Sequence, residues 1–229
     1  MKNVIIQGFA SNKFLFDDFI ANFNDVVVLE NNSYTYQEIE QKLNDLSQND
    51  KLNIFGWSLG SLFALKWTVE NPDTVLSLFL TGATARFCEK EGYQNKIPQI
   101  ALQKMIRLIA TRKKIVLSDF YNTIFEYTKG KEKYISQLLD SAPDEKNLIN
   151  GLNELLNLDL LEEVNKIQVP TLICQGQFDK TTPLYNGEIL SNLIKDSKLI
   201  VYQGGHCYFL EQLEECSKNW KEFLCLQKK

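Results

Sequence analysis

The sequence predicts one α/β domain built on a parallel sheet and carrying an inserted helical cap, on the strength of three observations. Short continuous apolar runs alternate with amphipathic helical patterns in both the first and the last third of the chain. A glycine-flanked serine stands where one of these runs passes into a helix. The stretch 83–151 offers helices with no convincing strand between them. Apolar strands separated by amphipathic helices imply a sheet covered on both faces, which is the environment of parallel strands.

Taken in order, Asn3 to Gln7 and Val26 to Leu29 read as buried strands, the first ending in Gly8 and the second in the polar turn Glu30-Asn31-Asn32-Ser33. Lys13 to Phe23, with Phe14, Phe16, Phe19, Ile20 and Phe23, and Thr35 to Leu46 have helical spacing. Leu52 to Phe55 is the next strand and Leu59 to Glu70 the next helix, stopped by Asn71-Pro72 because proline cannot continue it. Val75 to Leu80 follows as a strand. After the helical stretch the alternation returns with strands at Thr171 to Gln175 and Leu199 to Gln203 and helices at Leu184 to Ile194 and Glu211 to Leu226. Within the insertion, Ile97 to Ile109, Leu117 to Tyr127 and Lys131 to Leu139 read as helices. Residues 1–82 and 152–229 are therefore expected to form the core domain, with about six mostly parallel strands, and residues 83–151 the cap.

Composition excludes several classes. Hydrophobic residues at 44% and charged residues at 24% are near globular averages, the apolar runs are too short to span a bilayer, and Met1-Lys2-Asn3 leads into Val4-Ile5-Ile6 with no export signal. Five cysteines without a C-x-x-C pattern argue against a disulfide framework or a zinc site and for a reducing, cytoplasmic home. One histidine in the whole chain excludes a metal centre built from several imidazoles. No metal or cofactor is expected, and a monomer is the default.

The strand Leu52 to Phe55 runs into Gly56-Trp57-Ser58-Leu59-Gly60 and then a helix. That is the context of a G-x-S-x-G nucleophile elbow, where the turn is so tight that only small residues fit two before and two after the serine. Asp179 follows the strand Thr171 to Gln175, and His206, in Gly204-Gly205-His206, follows the strand Leu199 to Gln203. A serine hydroxyl needs an imidazole to take its proton, and only His206 is available; a carboxylate on the far ring nitrogen fixes the tautomer. Ser58, His206 and Asp179 are thus the expected nucleophile, general base and orienting acid. Two backbone donors must face the developing oxyanion. The Leu59 amide and the Phe9 amide, in the loop Gln7-Gly8-Phe9-Ala10, are the candidates. The Phe9 side chain serves equally well as an acyl-pocket wall or as core, and Trp57, beside Ser58, is a further expected substrate contact.

With these residues in place the chain resembles the α/β-hydrolase superfamily over essentially its whole length. Within it, the chain is most similar to the biotin-pathway pimeloyl-[acyl-carrier protein] methyl ester esterases, through Phe55 to Ser61, through Leu80-Thr81-Gly82-Ala83-Thr84-Ala85-Arg86-Phe87, and through Asn150-Gly151-Leu152 and Leu158-Asp159-Leu160 leading to Val169-Pro170-Thr171. The resemblance implies hydrolysis of a methyl ester on an acyl chain borne by acyl carrier protein, and a cap that holds the chain with aromatic residues, best matched by Phe125 and Tyr127. Hydrolases of this class usually have His-Gly where this chain has Gln7-Gly8 and again where it has Gln175-Gly176. Neither replaced histidine belongs to the triad.

Charge supports such a partner independently. From Lys96 to Lys133 there are nine cations against three anions, a net of +6 in a chain of −4, leaving −10 elsewhere. A basic island on an acidic protein suits an acidic partner. Arg107, Arg112, Lys113, Lys114 and Lys129 are the expected carrier-protein contacts, although a solvated lysine-rich face reads similarly. Nucleic acid is the weaker partner because no recognised binding module accompanies the island. Two other readings remain: a general short-acyl carboxylesterase or thioesterase with the same triad, and a non-catalytic hydrolase fold that binds a ligand.

Overall fold

Six apolar runs form one parallel sheet in the computed structural model, which describes residues 1–93 and 97–226. The strands are β1 (Lys2–Ile6), β2 (Val26–Leu29), β3 (Leu52–Trp57), β4 (Val75–Thr81), β5 (Thr171–Gly176) and β6 (Ser197–Tyr202), in the order β2-β1-β3-β4-β5-β6. Every neighbouring pair is parallel. β3 and β5 are buried at every residue, as continuous rather than alternating hydrophobicity requires of strands covered on both faces. The chain order reverses at β1, between β2 and β3, so the carboxyl ends of β1 and β3 flank a topological switch point, where open α/β sheets place their sites.

The helices are α1 (Asp17–Ile20), α2 (Tyr36–Ser47), α3 (Leu59–Glu70), α4 (Gln99–Ile124), α5 (Lys131–Asp140), α6 (Glu145–Asn157), α7 (Leu184–Leu193), α8 (Tyr208–Glu211) and α9 (Leu213–Leu226). The expected helix from Lys13 to Phe23 is instead a 3-10 turn at Lys13–Phe16 followed by the single turn α1. Aromatic packing decides its shape: Phe19 stacks on Trp220 of α9 at 5.2 Å, Phe23 meets the same indole at 4.3 Å, and Phe16 stacks on Phe209 of α8 at 5.4 Å. Among the described residues no helix is long and apolar enough to cross a membrane.

The cap consists of α4, α5 and α6. α4 comprises two of the expected helices, separated by a kink at Arg112, whose φ of −138° and ψ of 35° are non-helical. The boundary expected after Gly151 falls inside α6. Asp144 caps α6 by accepting from the Asn147 amide at 2.8 Å, and its apolar face, Leu148, Leu152 and Leu155, continues past the boundary. At Gly151 a side chain would strike Phe9 and Tyr34 at 2.9 Å, so glycine there lets α6 close on the loop after β1.

The cap's neck is a short pairing of its two connections to the sheet. Arg86 and Asp159 form an antiparallel bridge, the Leu160 amide donates to Ala85 O at 2.9 Å, and Asp159 accepts from Arg86 at 2.9 Å and Lys90 at 2.7 Å. These are the two non-elbow segments on which the sequence resemblance rested, and their work is mechanical.

α3 lies against β1 so closely that a Cβ at Gly60 would come within 2.1 Å of Ile6 O. Gly60→Ala is therefore expected to destabilise the fold by about 3 kcal/mol or more, the upper range for overpacking, seen as a lower urea midpoint; an unchanged midpoint contradicts this packing.

Candidate active site

Ser58 forms the whole turn between β3 and α3. Its φ of 55° and ψ of −120° lie where residues with side chains rarely sit, a strain of about 1–3 kcal/mol that surrounding contacts must hold. Its amide donates to Thr81 O of β4 at 2.9 Å, and its carbonyl accepts from the Ser61 amide at 2.8 Å and the Ser61 hydroxyl at 2.6 Å. A Cβ at Gly56 would lie 2.7 Å from Ser61 Cα, so both elbow glycines answer a steric demand.

The loop after β1 passes directly over this turn. A Cβ built on Gly8 would be 3.1 Å from Ser58 Cβ, and the loop is braced by the Ser11 hydroxyl donating to Gly8 O at 2.8 Å and by Tyr121 of α4 donating to Ala10 O at 2.7 Å. The Phe9 amide donates no backbone hydrogen bond among the described residues. Leu59 is the first residue of α3, where amides lack intrahelical partners. Both expected donors therefore lie beside Ser58. Gln7 does not brace the loop: its Oε1 has no partner among the described residues, and it lines a separate polar cavity of about 230 Å3 with Asn31 and Tyr34.

Asp179 and His206 are buried and joined, with His206 Nδ1 2.7 Å from Asp179 Oδ2. The other carboxylate oxygen accepts from the Thr181 and Thr182 amides, both at 2.8 Å, while the Thr182 hydroxyl lies 2.9 Å from Oδ2 and 3.2 Å from Nδ1. With Asp179 Oδ2 as the acceptor at 2.7 Å, the hydrogen-bond geometry assigns the ring proton to Nδ1. Nε2 is then a lone-pair acceptor. It is buried and has no partner among the described residues. His206 is tied to the elbow through its backbone, where the Trp57 indole donates to His206 O at 3.3 Å, and its ring lies against the end of β4, where a Cβ on Gly82 would meet Cε1 at 2.8 Å.

Thr182 and Glu211 of this site follow no sequence motif, and Gln175 stands out in sequence only as a departure from the usual His-Gly. Thr182 bridges the acid and the imidazole. Gln175 receives the Ala83 amide on Oε1 at 3.2 Å and donates to Thr182 O, tying the acid loop to the end of β4. Glu211 accepts from the Gly205 amide at 3.0 Å and from the Thr128 hydroxyl at 2.9 Å, so it clasps the histidine loop to the cap. Burial pushes the Glu211 carboxyl above the usual range, against the pull of those two donors.

An apolar cavity of about 90 Å3 opens at Ser58, walled by Phe9, Phe87, Leu102, Met105, Phe120 and Leu155 among others. Three expected substrate contacts lie elsewhere and are corrected. Trp57 is core, edge-on to Phe16 at 5.9 Å and to Phe209 at 5.3 Å beneath the histidine. Phe125 is fully buried and stacks on Tyr134 at 5.7 Å inside the cap. Tyr127 is exposed, packs on Phe178 at 5.5 Å and covers Gly205. The aromatic that reaches the cavity from α4 is Phe120, five positions before Phe125, and it meets Phe9 edge-on at 5.5 Å.

On the outer cap, Arg107, Arg112, Lys114 and Lys129 are exposed and form no ion pair among the described residues. Lys113 is half-buried and pairs with Glu145 at 3.0 Å, donating also to Pro143 O at 3.2 Å. Lys96, counted in the basic island, lies outside the described residues.

The family model described as alpha/beta hydrolase fold matches residues 21–213. The chain belongs to the α/β-hydrolase fold family. A pimeloyl-[acyl-carrier protein] methyl ester esterase of Neisseria meningitidis serogroup A is 30% identical over 176 residues, covering 75% of this chain and 56% of that protein. This hydrolase thus spans little more than half of that relative, though the same-named serogroup B protein is covered to 68% at the same identity. One of that name from Aliivibrio fischeri is 26% identical over 74% of this chain and 68% of its own. Among solved structures, an esterase from Exiguobacterium antarcticum superposes with a TM-score of 0.86 at 21% identity, over 100% of this chain and 92% of that one. A bromoperoxidase from Bacillus anthracis gives 0.87 at 17%, over 97% and 91%. These two share the fold.

A carboxyl with a raised folded-state value favours the protonated native form, so its contribution to stability is full below the ordinary glutamate value of about 4.3 and is lost as pH rises through the raised one. Thermal midpoints measured across that range should fall more steeply for the wild type than for Glu211→Gln. Parallel profiles contradict the burial argument.

Proposed function

We propose that this hydrolase is a serine esterase that cleaves the methyl ester of a pimeloyl chain carried by acyl carrier protein, a step of biotin biosynthesis, in the cytoplasm. The observation that carries the chemistry is the buried Asp179–His206 pair, whose Nε2 has no hydrogen-bond partner among the described residues, Ser58 included, in a molecule that also holds a serine in a strained elbow. The shared name of the sequence relatives supports the substrate.

In this reading Ser58 Oγ attacks the ester carbonyl carbon while His206 Nε2 takes its proton. The carbonyl oxygen becomes an oxyanion held by the Phe9 and Leu59 amides, which are worth most where water is excluded. The C–O bond to the methoxy group then breaks, Nε2–H protonates the departing oxygen, and methanol leaves an acyl group on Ser58. A water, deprotonated by the same nitrogen, attacks the acyl carbon, and collapse returns the proton to Ser58 and releases the free carboxylic acid. Asp179 stabilises the imidazolium in both halves. The carrier protein docks on Arg107, Arg112, Lys114 and Lys129, whose charges attract an acidic surface and speed encounter.

One observation favours a second reading, a short-acyl carboxylesterase: the cavity at Ser58 is small for a long chain. The two readings separate by charge reversal. Changing Arg107, Arg112 and Lys114 together to glutamate is expected to lower kcat/KM on the carrier-linked methyl ester on the order of tenfold or more and a short p-nitrophenyl ester by far less. Equal losses on both, or none on either, refute docking through these residues. Ser58→Ala should reduce turnover of both esters by roughly a thousandfold to a millionfold.

A further inference from the structure

The cavity at Ser58 is not the only apolar hollow in the cap. An open groove of about 310 Å3 runs along the outer side of α4, and Met105 and Phe120 line both it and the cavity of about 90 Å3 at the serine. Two side chains are thus the partition between the reacting atom and the cap surface. Both are half-buried, whereas the inner wall residues Phe9, Leu102 and Leu155 are buried.

The groove is a product of the break at Arg112. On the first arm of α4 its lining is Ala101, Lys104, Met105 and Leu108; on the second it is Val116, Asp119, Phe120 and Thr123. Each set has the spacing i, i+3, i+4, i+7, which is one face of a helix. The non-helical Arg112 turns those two faces toward each other. A straight helix would spread them apart.

Size and connectivity bear on what the hollow holds. Pockets for small molecules occupy about 300–1,000 Å3, so the inner cavity alone receives only the ester end of a chain, while the inner and outer spaces together reach the range. A substrate bound at its far end to a carrier protein has a further requirement, because its chain must enter a passage open at both ends; a blind pocket is useless to it. The outer groove has Lys104 in its wall and Arg107 and Lys114 on the same two arms, so it emerges among the exposed cations.

Resting on the reading of Ser58 as nucleophile and of the substrate as carrier-tethered, we propose that the acyl chain leaves the inner cavity between Met105 and Phe120 and lies in the α4 groove, with those two residues governing the length of chain admitted. Methionine suits such a partition because its unbranched side chain has three rotatable bonds. Phe120 is in turn seated edge-on against Phe9, and its neighbour Tyr121 holds Ala10 O. Chain occupancy of the passage is thereby felt by the loop carrying the Phe9 amide.

The experiment is a series of p-nitrophenyl esters from acetate to decanoate, hydrolysed by the wild type and three variants. Each methylene denied a buried site costs roughly fourfold in kcat/KM. Met105→Trp, which fills the partition, should lower the decanoate-to-acetate ratio of kcat/KM by roughly tenfold or more. Leu108→Trp, which fills only the outer groove, should act on decanoate but leave the butyrate-to-acetate ratio within about twofold, so the length at which rates fall is longer than for Met105→Trp. Phe120→Ala should move the ratio the opposite way and protects the test against a tryptophan variant that fails to fold. Length-independent losses in Met105→Trp, or an unchanged profile in both tryptophan variants, overturn the passage. The series uses free esters, so failure of the carrier reading, seen as no preference for the carrier-linked methyl ester, is distinguishable from failure of the passage.

Discussion

The contact between α3 and β1 constrains everything else in this molecule. Because Gly60 brings the helix within van der Waals reach of Ile6 and Gln7 backbone atoms, the chain has one residue, Ser58, in which to turn from strand to helix. That residue takes a positive φ, and the loop leaving β1 passes close over it at Gly8, where a Cβ would lie 3.1 Å from Ser58 Cβ. The loop proposed to carry an oxyanion donor and the proposed nucleophile thus become neighbours through the packing of a helix on a strand, with no hydrogen bond needed between them. The strain in the turn is offset by the bond from the Ser58 amide to Thr81 and by the two that its carbonyl accepts from Ser61.

The acid and the imidazole depend on a different device. Both are buried, and a buried pair broken at one partner costs about 3–5 kcal/mol because a charge or dipole is left uncompensated. The acid here is oversupplied with donors, two amides and one hydroxyl besides the ring. The loop bearing the ring is fixed by Trp57 from below and Glu211 from the side. Little freedom remains except at Nε2, the atom that must be free to accept a proton.

Much of this was legible from residue order. β3 and β5 announce themselves because strands covered on both faces are apolar throughout, and the elbow does so because its sterics admit few residues. The cap was legible as helical but not in detail. The two arms of α4 were expected as separate helices, and the non-helical Arg112 does lie between them, but the register of the pocket aromatic fell on Phe125 rather than Phe120. The helical spacing of Leu102, Met105 and Phe120 held that information, but it has meaning only once the arms are known to face each other. Thr182 and Glu211 were invisible for another reason, since a lone threonine or glutamate has no pattern to betray it, while Gln175 stood out only as a departure from His-Gly and its bonds to Ala83 and Thr182 had no sequence mark. Lys113 shows the limit of counting charge, since a cation already held by Glu145 and Pro143 contributes little to an outward-facing surface.

Cap and core are joined at several places, three of which are the Arg86–Asp159 neck, the Tyr121–Ala10 bond and the Thr128–Glu211 clasp, with the Lys180–Glu126 ion pair and the Asn150–Ser33 bond besides. Two of the three end on loops that carry reacting groups, so the position of the cap and the geometry of the site are mechanically linked. The claim beneath all of this is that His206 draws the proton from Ser58. Labelling with a fluorophosphonate, followed by peptide mass spectrometry, addresses it directly. The account predicts a single adduct on Ser58, formed at least about a hundredfold more slowly in His206→Gln; an adduct on any other residue, or an undiminished rate in that variant, contradicts it.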